Sequence, residues 1–421
     1  MAGGAGDTVA PAVTDVALLS NYQTRNLGNL ALTRSVQRLL SRAYGADHLL
    51  ALHRLPHPIA DLVTRRDLDR WAEALWSQVG PPGDLPRPPA EVHGERVPRL
   101  ATVAKEQATS STTRDLAVRA AHSLPGLLLR ARLDRGTGQT HLGALLAADD
   151  VVWNPGGEIN TTSTPTTRLL EIEAALDQAK RVAMVNLSFE ATPATRDFFR
   201  RRVSRFRWVM GRDEATVSTL IDLGADPERA LLAPDAVFLV GSDLLPELAP
   251  PTTDTRRDAV GVVLHGLTAI DATRWARLVD AIRAQGSRIE ILSSHKAVDG
   301  VVIRQLLDAA GADGVEVLPE FTEVGPYLAH LAGLRAVVTA RFHTAVMGLV
   351  CGTTVAGVDT YGHKIAGGLT TAGFAGAVAD GPDWPERAAA IVADGDRPDP
   401  ADLDATRARV RDAWSRVFPL G

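Results

Sequence analysis

VVTARFHTAVMGLVCGTTVAGVDTYGHKIAG, residues 337–367, decides how the second half of this chain folds. An apolar run ends abruptly at Arg341-Phe342-His343, and a segment of small helix-forming residues follows. A second apolar run then ends at Asp359, with Tyr361 and Lys364 just beyond it. Buried runs separated by helix-length segments spell βαβ units and a parallel sheet. Charged residues at the carboxyl edge of such a sheet face the crevice where ligands bind. The next helix points its N-terminal amides and dipole at the same place, which suits a phosphate or a carboxylate. Arg341, His343 and Lys364 thereby gain a common anionic target. The plain structural alternative pairs Arg341 with a carboxylate and leaves His343 capping a helix.

Outward from this stretch the same alternation continues. Strands are expected at 259–265, 288–293, 315–318, 336–340 and 354–358, with helices at 272–285, 301–310, 324–331, 344–350 and 365–372. Upstream, strands are expected at 16–20, 48–53, 151–154, 182–187 and 208–210, and helices at 30–44, 167–179 and 214–223. The proline-rich segment 245–258, LPELAPPTTDTRRD, separates the two series and reads as a linker. The expected organisation is an N-terminal α/β domain over 1–245, a C-terminal one over 259–398, and a tail helix within 399–421 that packs back on the first. A proline-rich stretch at 81–98 and a helical composition at 102–146 read together as an insertion, about 80–146, on the first domain. Two open α/β sheets joined by a linker offer one natural site, a central cleft between them.

Bulk properties narrow the function. A chain of 421 residues, 45% hydrophobic and 23% charged, has enough apolar surface for two cores. Its net charge of −5 gives no global positive field for nucleic acid, and Arg200, Arg201, Arg202, Arg205 and Arg207 read as a solvated helix face. The single cysteine, Cys351, forbids an internal disulfide and a cysteine-rich metal site. Residues 1–14 lack the basic start and apolar core of a signal peptide, and the most apolar stretch, 336–358, is interrupted by Arg341 and His343. The expectation is a cytoplasmic protein without a membrane span, a metal or a nucleic-acid partner. H-E-x-x-H, Walker and G-x-S-x-G sequences are absent.

Further candidates lie at other strand ends. His265 closes one strand, and Ser293-Ser294-His295-Lys296 closes the next, so His265, His295 and Lys296 are expected around a bound anion. Glu158 and Glu190 follow apolar strands in the first half, where either acts as a base toward an acceptor hydroxyl or both bond loop amides. Asp235, after Pro234, reads as a turn residue.

The chain resembles the polysaccharide pyruvyl transferase family. Arg341, His343, Tyr361 and Lys364 are similar to the family's basic R-hydrophobic-H motif and the tyrosine-to-lysine segment after it. Asn26-Leu27-Gly28-Asn29 resembles its N-x-G-D motif, and Pro155-Gly156-Gly157 its glycine-rich turn. Arg212-Asp213-Glu214 resembles its R-[DE]-x-x-[ST] segment, with Ser218 expected to supply the hydroxyl slightly late. Residues 231–238, LLAPDAVF, look like its L-x-P-D-x-x-F. The chain departs from the pattern at Asn29, Glu158, residues 185–190 (VNLSFE) and Thr344.

The resemblance implies a GT-B-like fold and transfer of a pyruvyl group from phosphoenolpyruvate, as co-substrate, to hydroxyls of a sugar or related small molecule. It implies no metal or redox cofactor. It assigns His343, Glu158 and Glu190 to catalysis. Arg341, Lys364, His295, Lys296, His265, Arg212 and Tyr361 fall to the donor, and Asn26, Asn29, Gly156 and Gly157 to the acceptor. Two alternatives stay open: a glycosyltransferase of the same architecture using a nucleotide sugar, and a sugar- or nucleotide-binding member without catalysis. Acceptor identity and oligomeric state are not set by the sequence.

Overall fold

The computed structural model describes residues 15–20, 26–53, 145, 147–160, 166–251, 257–265, 270–293, 296–360 and 362–418. The expected insertion at 80–146, apart from Leu145, lies outside the described residues, as do His295, Tyr361 and residues 252–256 of the linker.

The first sheet holds β1 (Val16–Ser20), β2 (Leu49–His53), β3 (Asp150–Asn154), β4 (Arg181–Leu187), β5 (Trp208–Gly211) and β6 (Ala230–Leu232). Their order is β2-β1-β3-β4-β5-β6 and every pairing is parallel. The strands β1 and β3 are buried along their whole length, so they read as continuous apolar runs instead of alternating ones. A parallel sheet covered on both faces demands this pattern. Helices α1 (Leu27–Tyr44), α2 (Thr166–Asp177), α3 (Pro193–Arg202) and α4 (Glu214–Asp222) accompany it. The arginine run of α3 and the turn after it is engaged in ion pairs: Arg200 and Arg201 with Asp197, Arg202 with Glu173, and Arg205 with Asp177.

The second sheet holds β7 (Arg257–Val263), β8 (Arg288–Ile291), β9 (Val315–Val317), β10 (Leu334–Thr339), β11 (Thr354–Val358) and β12 (Val378–Ala379). Its order is β12-β11-β10-β7-β8-β9, again parallel throughout. The accompanying helices are α5 (Ala272–Ala284), α6 (Lys296–Ala310), α7 (Val324–Ala332), α8 (Phe342–Val350), α9 (Lys364–Thr371), α10 (Trp384–Asp394) and α11 (Pro400–Val417). The molecule is thus two Rossmann-like α/β halves. Strands β6 and β12, of three and two residues, are additional to the strands expected from the sequence. Strand β7 stops at Val263, so His265 stands two residues beyond the sheet.

One apolar core runs between the halves. It joins Leu30 and Val36 of α1, Val237 and Phe238, Leu331 of α7, Val346 of α8 and Trp414 of α11. Phe238 and Phe374 stack across it with ring centroids 5.8 Å apart. Helix α11 touches both halves: Arg407 donates to the Phe238 and Val240 carbonyls, and Arg409 to those of Thr371 and Ala372. Among the described residues no helix is long and apolar enough to cross a membrane.

Strand order reverses between β1 and β3 in the first sheet and between β7 and β10 in the second. Crevices open beyond the carboxyl ends of strands at such reversals. The candidate residues lie on these edges.

Candidate active site

In the second half, β10 ends at buried Thr339, whose Oγ1 accepts from the Arg341 amide at 3.0 Å. This local bond turns the chain out of the sheet. The Arg341 guanidinium spans the strand reversal. Its Nε donates to the Leu264 carbonyl beyond β7 (3.0 Å), and its Nη2 pairs with Asp299 in the first turn of α6. Asp299 is itself buried and accepts from Ser293 Oγ at 3.1 Å. Arg341 therefore has the carboxylate partner of the plain structural alternative, at 8% exposure. His265 lies in the same field. Burial, and then the Arg341 charge, push its pKa down to about 4, so it is neutral near pH 7.

Helix α8 starts immediately after Arg341 and carries His343 in its first turn. A Cβ on Gly28, at the start of α1, would lie only 2.5 Å from His343 Cβ. The glycine of the Asn26-Leu27-Gly28-Asn29 stretch is what lets the halves approach here. Asn26 caps α1 by accepting from the Asn29 amide at 3.2 Å, and Asn29 sits partly buried within the first turn.

The first half meets His343 with a buried charge pair. Strand β4 bulges at Asn186, held at φ 53°. The Asn186 side chain accepts from the Ala236 amide at 3.1 Å, which ties the β4 end to the turn after β6. Beyond β5, Arg212 is 2% exposed. It donates from Nε to Ser188 Oγ (2.7 Å) and from Nη1 to Asp235 Oδ2 (2.8 Å), with its Cζ 4.3 Å over the Phe342 ring. His343 Nε2 lies 3.2 Å from Arg212 Nη1 and 3.5 Å from Asp235 Oδ2. Burial raises the Asp235 pKa, but the His343 ring, the Arg212 charge and the Val237 amide outweigh it and hold the carboxyl down to about 2. Asp235 is ionised at any working pH.

Asp213 caps α4 by accepting from the Thr216 amide at 2.7 Å and from the Thr216 hydroxyl at 2.9 Å. Thr216 Oγ1 in turn accepts from the Phe189 amide at 2.9 Å. The hydroxyl of this segment is therefore Thr216; Ser218, expected in that role, is exposed on the helix surface.

A third contact joins the halves. Glu190 Oε2 lies 3.3 Å from Lys364 Nζ, and Oε1 accepts from the His363 amide at 3.2 Å. Gly362, at φ 70°, leaves room for that carboxylate, which a Cβ would overlap. Asp359 anchors the start of α9 by accepting from the Ile365 and Ala366 amides at 2.9 and 2.7 Å. Burial raises its pKa against those two amides.

Gly157 stands at the centre. From the position of its missing Cβ, Arg212 Nη2 is 3.6 Å away and Lys364 Nζ 4.0 Å. Gly156, at φ 55°, accepts from the Ser188 amide at 3.1 Å and fixes this loop to the end of β4. The structure thus gathers Gly28, Gly157, Glu190, Arg212, His343 and Lys364. It sets Arg341 and His265 together on the Asp299 side and buries Glu158 in the loop beside Gly157. Lys296 opens α6, but its side chain lies outside the described residues, with His295 and Tyr361.

Sequence reasoning missed two carboxylates. Asp235 does cap a turn, as its place after Pro234 implies, and its further role as the Arg212 partner had its signal in the L-x-P-D-x-x-F likeness of residues 231–238. Asp299 had drawn no attention; its signal was an acid in the first turn of a helix that opens on a ligand-facing edge.

No curated protein sequence matches this chain. Solved structures similar to it include UDP-N-acetylglucosamine 2-epimerase from Rickettsia bellii, at TM-score 0.52 and 11% identity over 96% of each chain. A putative UDP-N-acetylglucosamine 2-epimerase from Listeria monocytogenes follows at 0.51 and 10%, over 96% of this chain and 91% of that one. The Methanocaldococcus jannaschii UDP-GlcNAc 2-epimerase, in complex with UDP-GlcNAc and UDP, matches at 0.50 and 11% over 94% and 99%. At such identities the likeness speaks for the fold alone, and that fold is GT-B-like. The sequence pattern of the polysaccharide pyruvyl transferases matches residues 26–361, from the cap of α1 to the strand end before Lys364, and the chain belongs to the polysaccharide pyruvyl transferase family.

Proposed function

We propose that the protein transfers the pyruvyl group of phosphoenolpyruvate to two hydroxyls of a sugar or related small acceptor, forming a ketal and releasing inorganic phosphate. The observation that carries this reading is the convergence of Arg212 and Lys364, one from each half, on the side-chain-free face of Gly157, with His343 in contact with Arg212. Family membership supplies the reaction class.

The chemistry matches these groups. Arg212 has Nε and Nη1 engaged by Ser188 and Asp235, which leaves Nη2 turned toward Gly157. Together with Lys364 Nζ it holds the donor's phosphate and carboxylate, as a rigid guanidinium suits. Arg341, with Nε and Nη2 held, adds positive field from the β10 edge. His343 delivers a proton to the donor's methylene carbon, which leaves an oxocarbenium centre at C2. One acceptor hydroxyl forms a C–O bond there and loses its proton to Glu190 or Glu158. The C2–O bond to phosphate breaks next, and phosphate departs into the Arg212 and Lys364 charges. The second hydroxyl attacks the new oxocarbenium, gives its proton to His343, which restores the acid, and closes the ketal. Two C–O bonds form and one breaks, with no change of oxidation state and no metal in the scheme. Before the donor binds, Lys364 is paired with Glu190. The donor's anion displaces that carboxylate and frees it as the base. The acceptor approaches along Asn29 and the Gly156-Gly157 loop, while Asn26 keeps its side chain on the α1 cap.

The test is turnover with phosphoenolpyruvate and a panel of sugar acceptors, read by inorganic phosphate release and by mass spectrometry of the acceptor. Phosphate release that depends on acceptor, with a pyruvylated product, is expected. Nucleotide release from a sugar nucleotide, without reaction of phosphoenolpyruvate, would give the site to a glycosyltransferase instead.

A further inference from the structure

We infer that Gly157 determines which end of the donor sits at the centre of the site: the phosphate, not the carboxylate, rests on its side-chain-free face, held by Arg212 Nη2, Lys364 Nζ and the Gly157 amide. The inference rests on the proposed phosphoenolpyruvate reading for the identity of the ligand. It goes beyond that reading in orienting the donor and in giving the reason for a glycine.

Gly157 differs from the other glycines at which the halves approach each other. A Cβ on Gly28 would lie 2.5 Å from His343 Cβ, one on Gly367 would lie 2.9 Å from Asp213 Cβ, and one on Gly362 would overlap the Glu190 carboxylate. At those three positions the missing side chain makes room for a side chain of the other half. At Gly157, chain neighbours apart, the only described atoms within 4 Å of the Cβ position are Arg212 Nη2 at 3.6 Å and Lys364 Nζ at 4.0 Å. Packing therefore does not call for this glycine. Nor does the backbone: the left-handed φ of the turn belongs to Gly156, and the turn is closed by the Glu158 amide donating to the Pro155 carbonyl at 2.9 Å.

The loop is held with Gly157 turned to the cleft. The Ser188 amide donates to the Gly156 carbonyl at 3.1 Å, and the Asn160 side chain donates to the Gly157 carbonyl at 3.4 Å. Among the described residues the Gly157 amide has no hydrogen-bond partner. Buried amides are nearly always paired. Gly157 is partly exposed between buried Gly156 and buried Glu158, so its amide opens on the cleft. Arg212, at 2% exposure, has Nε and Nη1 engaged and Nη2 left for a ligand. Three donors from three segments thus surround one position. A phosphate offers three terminal oxygens in a tetrahedral cap, whereas a carboxylate offers two in a plane, so the phosphate matches them better. An oxygen bonded to either nitrogen from the Gly157 side stands about 2.7–2.9 Å from it, inside the volume a Cβ would fill. The family likeness gave Gly157 to the acceptor; the two cations give it to the donor, at the point the acceptor reaches.

The experiment is isothermal titration of the full chain and of Gly157→Ala with phosphoenolpyruvate, inorganic phosphate and pyruvate, alongside melting temperatures. A Cβ 3.6 and 4.0 Å from its neighbours makes ordinary van der Waals contact, so Gly157→Ala is expected to melt with the wild type. It is expected to lose at least about tenfold in affinity for both phosphoenolpyruvate and inorganic phosphate. In the wild type, inorganic phosphate is expected to compete with phosphoenolpyruvate and pyruvate is not. A folded Gly157→Ala protein that binds phosphate like the wild type overturns the inference. So does a wild type in which pyruvate competes and phosphate does not, a result that needs no variant. If the wild type binds phosphate, loses it in Gly157→Ala and binds no phosphoenolpyruvate, the phosphate seat stands and the pyruvyl reading fails. A wild type that binds neither overturns both.

Discussion

Asp150 and Asp235 are both buried carboxylates held by an arginine, yet they sit at opposite ends of the same sheet and do different things. Asp150 opens β3 at its amino end. The Arg181 fork grips it from Nε and Nη2 at 2.6 and 2.9 Å, and Tyr44 donates its hydroxyl at 2.9 Å. Burial, then Asp150 itself, push the Tyr44 ionisation far up, so that hydroxyl keeps its proton. Around this pair lies a cavity of about 180 Å³ lined also by Arg207, Trp208 and Phe418. Asp235 stands beyond β6 and shares one oxygen between Arg212 of its own half and His343 of the other. The Asp150 pair is closed on itself and ties α1 to the sheet. The Asp235 pair is open to a titratable ring and a candidate ligand. This cavity and the candidate site are therefore at different ends of the fold, and the candidate site lies at the strand reversal, where ligands of such sheets bind.

The largest effect should come from Arg212. Arg212→Ala leaves Asp235 buried without its arginine, which typically costs about 3–5 kcal/mol. Phosphoenolpyruvate kcat/KM should also fall by at least about 10²-fold. Arg212→Lys should recover part of the stability but little of the activity, because the planar fork is lost. Urea unfolding and steady-state kinetics on both variants check this.

Acid should strike the carboxyl end of the strands next. His265 is folded with its pKa lowered from 6.5 to about 4. The unfolded chain thus binds a proton that the folded one refuses. The stability tied to His265 is fully present above about pH 6.5 and is lost as pH falls toward 4, by up to about 3 kcal/mol. Asp235 adds loss of the same sign lower down, between 3.8 and about 2. Unfolding free energies at pH 7 and 4.5 should differ measurably less in His265→Gln than in the wild type.

Asp150→Ala sharpens the comparison from the other side. Arg181 is 46% exposed and can be solvated when its partner goes. The cost should be about 1–2 kcal/mol, mostly from Tyr44 and the lost hydrogen bonds. Phosphoenolpyruvate kinetics should stay within about twofold, since nothing at that end touches His343. The smallest effect belongs to chelation. Dialysis against EDTA should leave turnover unchanged, because the proposed steps use only protein charges; restoration of lost activity by a divalent ion would contradict the scheme.

Much of the fold was legible because parallel strands buried on both faces announce themselves as apolar runs. Val337 to Thr339 could be read as a strand before any contact was known, and so could the cationic residues at its end. The partners of those residues were not legible. Arg341 finds Asp299 at a separation of 42 residues, and Arg212 finds His343 at 131. No local spacing encodes such pairs; they exist only once two halves pack. Thr216 is the opposite case. Its place three residues after the Asp213 cap follows from helix N-terminal geometry, so the capping rule alone would have chosen it over Ser218.

The central claim is that the site between the halves binds phosphoenolpyruvate through Arg212, His343 and Lys364. Isothermal titration with phosphoenolpyruvate and, separately, with UDP-GlcNAc tests it without knowledge of the acceptor. The account predicts saturable binding of phosphoenolpyruvate, weakened at least about tenfold in folded Lys364→Ala, and no comparable heat from UDP-GlcNAc. Saturable binding of UDP-GlcNAc with none of phosphoenolpyruvate would contradict it.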